Sequence, residues 1–180
     1  MTVIGVVVRP RSTFAALAAS PRIALGFAAV LGSSVVALAL GLLANLIDNG
    51  GRSGLVASLL LPLLFLVYWG AAALLIDATA GLARQSGRWR QYLAVSGFTF
   101  IPWIAYAILA VIEALFGAGS AAEYAVAWLT LPLLGWFLAL TTFAVLAVFD
   151  VSPFVAVSLA MLPDAVLLFI LIAVLTAASL

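Results

Sequence analysis

Residues 23–47 read IALGFAAVLGSSVVALALGLLANLI and contain no charged side chain. An α-helix rises about 1.5 Å per residue, so about 20 apolar residues cross the roughly 30 Å hydrocarbon core of a bilayer. The run is continuous rather than alternating, and a sheet with open edges cannot face lipid, which excludes a strand. The segment therefore predicts a membrane-spanning helix.

Four more apolar runs of sufficient length follow in the chain. They lie at about 55–83, 91–116, 124–149 and 154–180. We therefore predict an all-α fold, a polytopic transmembrane helical bundle of five spans over residues 23–180, preceded by an N-terminal interfacial segment over residues 1–22. The composition agrees, because the 180 residues are 68% hydrophobic and 7% charged, whereas about a quarter of the residues of a soluble domain are charged.

The composition also excludes several classes of function. The chain has no cysteine and no histidine, which removes disulfides, thiolate or imidazole metal sites and the common nucleophile–histidine systems. Seven arginines, no lysine and six acidic residues give a formal net charge of +1, so there is no electrostatic case for binding nucleic acid. We expect no catalytic residue, no cofactor, no metal site and no nucleic-acid partner.

The placement of arginine predicts the orientation of the spans. With a cytoplasmic N-terminus, six of the seven arginines lie on the cytoplasmic side and only Arg52 lies outside, as the positive-inside rule requires. The C-terminus is then extracytoplasmic. The six also form a basic rim that can attract anionic headgroups with about 1 kcal/mol each, or they serve only to set the topology. They are Arg9, Arg11, Arg22, Arg84, Arg88 and Arg90.

The segment before the first span predicts a short helix on the membrane surface. Arg-Pro-Arg at 9–11 interrupts an apolar start, and Ser12 or Thr13 can cap the helix that follows. Phe14 and Leu17 share one face of that helix. We expect it to lie in the cytoplasmic interface with its apolar side in the acyl boundary. The alternative is a frayed N-terminal extension.

The first span carries a ridge of small residues at four-residue spacing, which lets another helix approach closely in lipid. Packing within the chain is the favoured interpretation, and self-association or contact with a partner membrane protein is the alternative. The ridge consists of Ala29, Ser33, Ala37, Gly41 and Asn45.

Three acidic residues lie inside the predicted spans. Asp77 is about two turns from the cytoplasmic end of its span, where Arg84 could reach it, and Glu113 is about one turn from the outer end of its own. Asp164 falls near the membrane midplane, where a charged carboxylate costs several kcal/mol.

We therefore expect Asp164 to be protonated or hydrogen-bonded within the bundle. It shares a face with Ala156 and Ala160, which indicates that it faces a packed helix rather than lipid. Alternatively, residues 151–163 form a partial or re-entrant segment, which would place Asp164 at a shallower depth.

Two stretches carry a family resemblance. Residues 3–17, VIGVVVRPRSTFAAL, and residues 87–102, GRWRQYLAVSGFTFIP, resemble the prokaryotic type of the Yip-one (Ypt- or Rab-interacting) membrane protein family. The resemblance implies five spans and a cytoplasmic N-terminus, and its short motifs carry no chemistry. The matching positions are Pro10, Phe14, Gly97, Phe98 and Pro102.

The resemblance does not extend to every property of that family. The chain lacks the long N-terminal region and the Asp-Leu-Tyr-Gly-Pro motif of the eukaryotic members, so Rab-type GTPase binding is not expected. Heavy use of alanine and leucine, with arginine wholly replacing lysine, indicates a GC-rich prokaryotic genome and a location in the plasma (inner) membrane.

These observations leave three classes of function, of which an enzyme is the least favoured. We predict a non-enzymatic scaffold of Yip-one type that organises the membrane or holds partner proteins. The alternative is a small transporter or an ion or proton channel that uses Asp77, Glu113 and Asp164 together with proline-broken spans.

Overall fold

The chain folds into helices joined by short connections. The computed structural model describes residues 3–48, 52–83, 85, 87–117 and 120–178, and these form no strand. In chain order the helices are α1 Val3–Val8, α2 Pro10–Ala19, α3 Ile23–Ile47, α4 Arg52–Ala80, α5 Trp89–Ser96, α6 Ile101–Phe116, α7 Ala121–Val148 and α8 Pro153–Ala178. Two 3₁₀ turns, Gly81–Ala83 and Gly97–Phe100, follow α4 and α5.

Among the residues that the structure describes, five helical segments are long and apolar enough to cross a membrane, as predicted. They are Ile23–Ile47, Ser58–Ala80, Trp89–Phe116, Glu123–Val148 and Pro153–Ala177. The chain is therefore consistent with a multi-pass membrane protein. Helix α8 continues through Pro163, so residues 151–163 do not form the separate partial segment that was the alternative.

The third crossing contains a change of helix type. Pro102, the second residue of α6, has no N–H to donate to the Phe98 carbonyl four residues earlier, and its ring would crowd that carbonyl. The Ile101 N–H bonds the Phe98 carbonyl instead, which is the tighter 3₁₀ pattern. The helix therefore passes through the 3₁₀ turn Gly97–Phe100 before α6 begins.

Helix α3 lies against α4, α5 and α6 and presents small side chains to them. Ser33 and Ala37 of the predicted ridge are buried, while Ala29, Gly41 and Asn45 are half-buried. A Cβ atom added to Gly41 would lie 3.5 Å from Ser58 Oγ on α4. The ridge is therefore used for packing within the chain, which was the favoured interpretation.

Helix α2 packs on the protein rather than into lipid. It contacts α5 and α7, and Phe14 (0% exposed) and Leu17 (6%) belong to the core. The expectation that this face lies in the acyl boundary is therefore wrong. The spacing of these residues showed that one face is apolar, but not whether lipid or protein covers it.

The start of α2 also differs from the prediction. The helix begins at Pro10, whose fixed φ and missing N–H suit the first helical position. Ser12 is therefore inside the helix, where its Oγ donates to the Arg9 carbonyl at 3.2 Å instead of capping the helix.

Candidate functional site

Asp164 of α8 is hydrogen-bonded to Tyr68 of α4. The Tyr68 hydroxyl donates a hydrogen bond to Asp164 Oδ1. Asp164 is about three turns from the start of α8 and Tyr68 about three turns from the end of α4, so both lie deep in their spans. The expected hydrogen bond within the bundle is therefore present.

The surroundings of Asp164 differ from the expectation of a packed helix face. Ala156 and Ala160 are fully buried, and Pro163 is the last buried residue of α8 that the structure describes. From Asp164 onward the described side chains of the helix are exposed. Asp164 therefore lies at the edge of an open cleft, at the point where the helix leaves the packed core.

The cleft lies between α4 and α8 and has a volume of about 680 Å³. The described residues of its walls have aliphatic and aromatic side chains, and the only acidic residue among them is Asp164. Leu167 and Ile170 line the wall contributed by α8, while Leu64 and Tyr68 line that of α4. This volume falls within the range of small-molecule sites, about 300–1,000 Å³, and such sites are mostly apolar with few polar groups.

Several aromatic rings, here called the aromatic floor, pack together at the bottom of the cleft. Phe65 and Phe100 have ring centroids 5.2 Å apart, and Trp103 lies 5.6 Å from Phe65 and 6.0 Å from Phe137. The Tyr68 ring meets Phe100 edge to face at 6.1 Å. These tilted and edge-to-face contacts are favourable for aromatic pairs, and they hold Tyr68 in position beneath Asp164.

A small cavity lies behind Tyr68 in the bundle interior. Its volume is about 10 Å³, about enough for one water molecule. The indole nitrogen of Trp69 donates to Ser96 Oγ at 3.1 Å, and Thr99 Oγ1 donates to the Ser96 carbonyl at 2.8 Å. Tyr68 and Pro163 line both this cavity and the cleft. Polar groups therefore continue from Asp164 into the interior.

Asp77 has a structural role at the end of α4. Its carboxylate accepts hydrogen bonds from the backbone N–H groups of Gly87, at 3.0 Å, and Arg88, at 2.6 Å. Gly87 has φ of +87°, a conformation that glycine adopts without strain. Arg84, the predicted partner of Asp77, lies outside the described residues.

Arg88 and Gln91, at the start of α5, bond the ends of two other helices. Arg88 Nη1 donates to the Val148 carbonyl at the end of α7 at 2.7 Å. Gln91 Nε2 donates to the Ala18 carbonyl near the end of α2 at 2.8 Å. These bonds satisfy carbonyls that a helix end leaves without an intrahelical partner.

The three predicted intramembrane acids are therefore not brought together. Asp164 lies at the cleft. Asp77 lies near the end of α4, where its carboxylate bonds the backbone of the following loop. Glu113 is an exposed side chain near the end of α6. No group of three or more acidic residues that could hold a metal ion occurs in the part of the chain that the structure describes.

The predicted basic rim is mostly accessible. Arg9, Arg11, Arg22 and Arg90 are exposed, and the Arg90 guanidinium lies 5.2 Å from the ring centroid of Trp89. Arg88 is also exposed, but unlike these four its guanidinium bonds the Val148 carbonyl.

The five motif positions serve packing and backbone geometry. Pro10 begins α2 and Phe14 fills the core. Gly97 lies where α5 crosses α3, and Phe98 and Pro102 belong to the 3₁₀ turn and the start of α6.

Sequence reasoning missed Tyr68 and the cleft. One signal was available, because Tyr68 and Asp164 lie at similar distances from the ends of their spans that the sequence predicts to be cytoplasmic. Comparisons with family models, with curated proteins and with solved structures find no match to this chain.

Proposed function

We propose that this protein is a non-enzymatic membrane scaffold of Yip-one type that holds another membrane helix beside its own bundle. The observation that carries the proposal is the second half of α8. Every residue from Asp164 to Ala177 is exposed, whereas Ala156, Leu159 and Ala160 in the first half are buried. A spanning helix packed within its bundle would bury one side, so this half of α8 has surface available to a partner.

The side of α8 turned away from the cleft, here called the outer face, is the proposed contact surface. Helical spacing places four large apolar residues on it, and the most exposed is Phe169 at 74%. Association of helices in lipid is driven by side-chain packing rather than by exclusion of water, and large, well-defined side chains supply that packing. The outer face comprises Leu168, Phe169, Ile172 and Leu175.

We also propose that the N-terminus is cytoplasmic and that the protein lies in a prokaryotic plasma membrane. With residues 84–90 and the N-terminal segment in the cytoplasm, the exposed arginines face the anionic headgroups of a prokaryotic plasma membrane. Rab-type GTPase binding forms no part of the proposal.

Photo-crosslinking in membranes tests the scaffold, and the absence of native cysteine makes single-cysteine labelling direct. Ile172→Cys and Leu168→Cys, labelled with benzophenone maleimide, should give one discrete adduct with a second copy or another membrane protein. Ile170→Cys on the cleft side and Leu60→Cys on the exposed surface of α4 are matched controls that should give none. Equal labelling at all four positions, or none at any, would contradict the proposal.

Transport is the second candidate, and the Tyr68–Asp164 hydrogen bond is the observation that favours it. A proton or ion path needs a partner for the deep carboxylate, and Tyr68 supplies one, with the Ser96 and Thr99 hydroxyls lining the cavity behind it. Liposomes containing a pH-sensitive dye test this candidate. Flux that disappears in Asp164→Asn would support transport and displace the scaffold, while the absence of flux would remove transport.

A further inference from the structure

We propose that the cleft between α4 and α8 binds a lipophilic organic cation, with Asp164 as its counter-ion. The ligand class is a compact hydrophobic molecule that carries one positive charge. This inference does not depend on the scaffold proposal, because the cleft and the outer face lie on opposite sides of α8.

Charge is the first argument for a cation. Among the described residues that line the cleft, Asp164 is the only acidic one and none is basic. The Tyr68 hydroxyl bonds Oδ1, while Oδ2 has no hydrogen-bond partner among the described residues. A carboxylate at this depth is costly when it is unpaired. A monovalent cation entering the cleft would neutralise it, whereas an anion would be repelled.

The aromatic floor is the second argument. Aromatic ring faces attract a cation within about 6 Å of the ring centroid, and the attraction strengthens when water is excluded. Phe65, Phe100, Trp103 and Phe137 line the cleft together with Tyr68. A neutral acyl chain would gain nothing from either the carboxylate or the ring quadrupoles, so the combination favours a cation.

Access is the third argument. The described residues of α8 beyond Pro163 are exposed, so the cleft opens sideways at the level of the hydrocarbon core. A ligand dissolved in the bilayer can enter between α4 and α8 without crossing the packed bundle. Solubility in lipid and a single positive charge are the two properties that this entrance and this counter-ion select.

Tyr68 acts as a positioning residue in this site. It is half-buried, its ring packs on Phe100, and its hydroxyl bonds one oxygen of Asp164. This bond leaves the other oxygen for the ligand. Loss of the hydroxyl should therefore weaken binding less than loss of the carboxylate charge.

Equilibrium dialysis of the full chain in nanodiscs tests the inference. The probes are tetraphenylphosphonium and tetraphenylborate, which share shape and size but carry opposite charges. We expect saturable binding of one phosphonium per chain and no saturable binding of the borate. Asp164→Asn keeps the side-chain shape and an oxygen that accepts from Tyr68, and it should weaken phosphonium binding by about tenfold or more. Tyr68→Phe should weaken it by about two- to fivefold.

Glu113→Gln is the matched control, because it also removes one acidic charge from a span but lies away from the cleft. It should leave phosphonium binding unchanged. Equal binding of the two probes, or an equal loss in Glu113→Gln and Asp164→Asn, would overturn the inference and leave the cleft as a site for neutral lipid chains.

A second measurement keeps the test valid if Asp164→Asn does not fold. With Asp164 retained, Leu167→Cys lies on the cleft wall and Ile172→Cys on the outer face. Tetraphenylphosphonium should slow maleimide labelling of the first cysteine and not of the second, and equal effects on both would overturn the inference. Saturable binding in nanodiscs without flux in liposomes would support the cleft site and remove only the transport candidate.

Discussion

Gly26 of α3 and Gly97 at the end of α5 lie backbone against backbone. A Cβ atom on Gly97 would come within 2.1 Å of the Gly26 carbonyl oxygen, and one on Gly26 within 2.3 Å of the Leu93 carbonyl oxygen. Real side chains do not approach backbone atoms so closely, and neither backbone is free to yield. The crossing of the first and third spans therefore requires glycine at both positions.

Gly97→Ala should destabilise the protein by at least about 2 kcal/mol, because the added methyl group forces two packed helices apart. Unfolding by denaturant in micelles, followed by tryptophan fluorescence, measures the change. Gly32→Ala and Gly70→Ala are controls, since a Cβ atom there meets nothing within 4 Å. These controls should be neutral or stabilising by up to about 1 kcal/mol. A loss in Gly97→Ala no larger than in the controls would contradict the crossing.

Asp77→Ala should cost about 1–2 kcal/mol, because it removes the acceptor of the Gly87 and Arg88 N–H groups. Asp77→Asn keeps one acceptor oxygen and should cost less. Asp48 is an exposed residue at the end of α3, and Asp48→Ala should change the free energy of unfolding by less than about 0.5 kcal/mol. Equal effects of Asp77→Ala and Asp48→Ala would show that the loop contact contributes nothing.

Arg88→Gln should cost about 1 kcal/mol, because it removes the charged donor to the Val148 carbonyl. Arg11→Gln removes the same charge from an exposed side chain without removing a bond to a helix end, and it should be close to neutral. The comparison uses the free energy of unfolding of both variants at two salt concentrations. If the change in the free energy of unfolding disappears at high salt in both variants, the effect of Arg88 is general electrostatic attraction and not the specific hydrogen bond.

Neutralising the exposed N-terminal arginines should reduce the anionic lipid that co-purifies with the protein. The variant is Arg9→Gln, Arg11→Gln and Arg22→Gln together, and lipid extraction with mass spectrometry gives the anionic fraction. Each arginine near the headgroups contributes about 1 kcal/mol to attraction, so the triple variant should lose most of it. Arg88→Gln alone should leave lipid content unchanged, because its guanidinium bonds a backbone carbonyl. An unchanged lipid fraction in a correctly oriented triple variant would restrict these residues to setting topology.

Reporter fusions test the orientation of the bundle. A reporter inserted after Gly87 should read cytoplasmic, and reporters after Gly50, Gly119 or Leu180 should read extracytoplasmic, because the arginines concentrate on one side. An enzyme active only outside and a fluorescent protein active only inside give opposite signals at each position. A cytoplasmic signal at Leu180 would show that α8 does not cross the membrane.

The helices themselves were predictable because lipid forces a backbone to satisfy its own hydrogen bonds. Helix α3 has the bounds Ile23–Ile47 that its apolar run predicts. Helix α7 begins at Ala121, earlier than the apolar run, because Ser120 caps it by accepting from the Glu123 N–H at 3.3 Å.

The contacts between distant segments were not predictable to the same degree. Tyr68 and Asp164 are 96 positions apart in the chain. The hydropathy pattern indicates the depth of each residue in the membrane, but it does not indicate which helices are neighbours. The same limitation applies to Phe14. Its spacing from Leu17 indicates an apolar helix face, but it does not show whether protein or lipid lies against that face. Asp77 illustrates a further cause, since its acceptor role depends on the path of a loop, which apolar spacing does not describe.

The exposed second half of α8 has a consequence for biosynthesis. Among the described residues, burial ends at Pro163, so the packed part of the bundle has been synthesised before the last turns of α8 leave the ribosome. Those turns have few packing partners to help them into the bilayer. They belong to the most apolar of the five candidate spans by mean hydropathy, which lets this segment partition into lipid from the insertion machinery on its own. The second half of α8 can therefore enter the membrane without depending on contacts with the rest of the bundle.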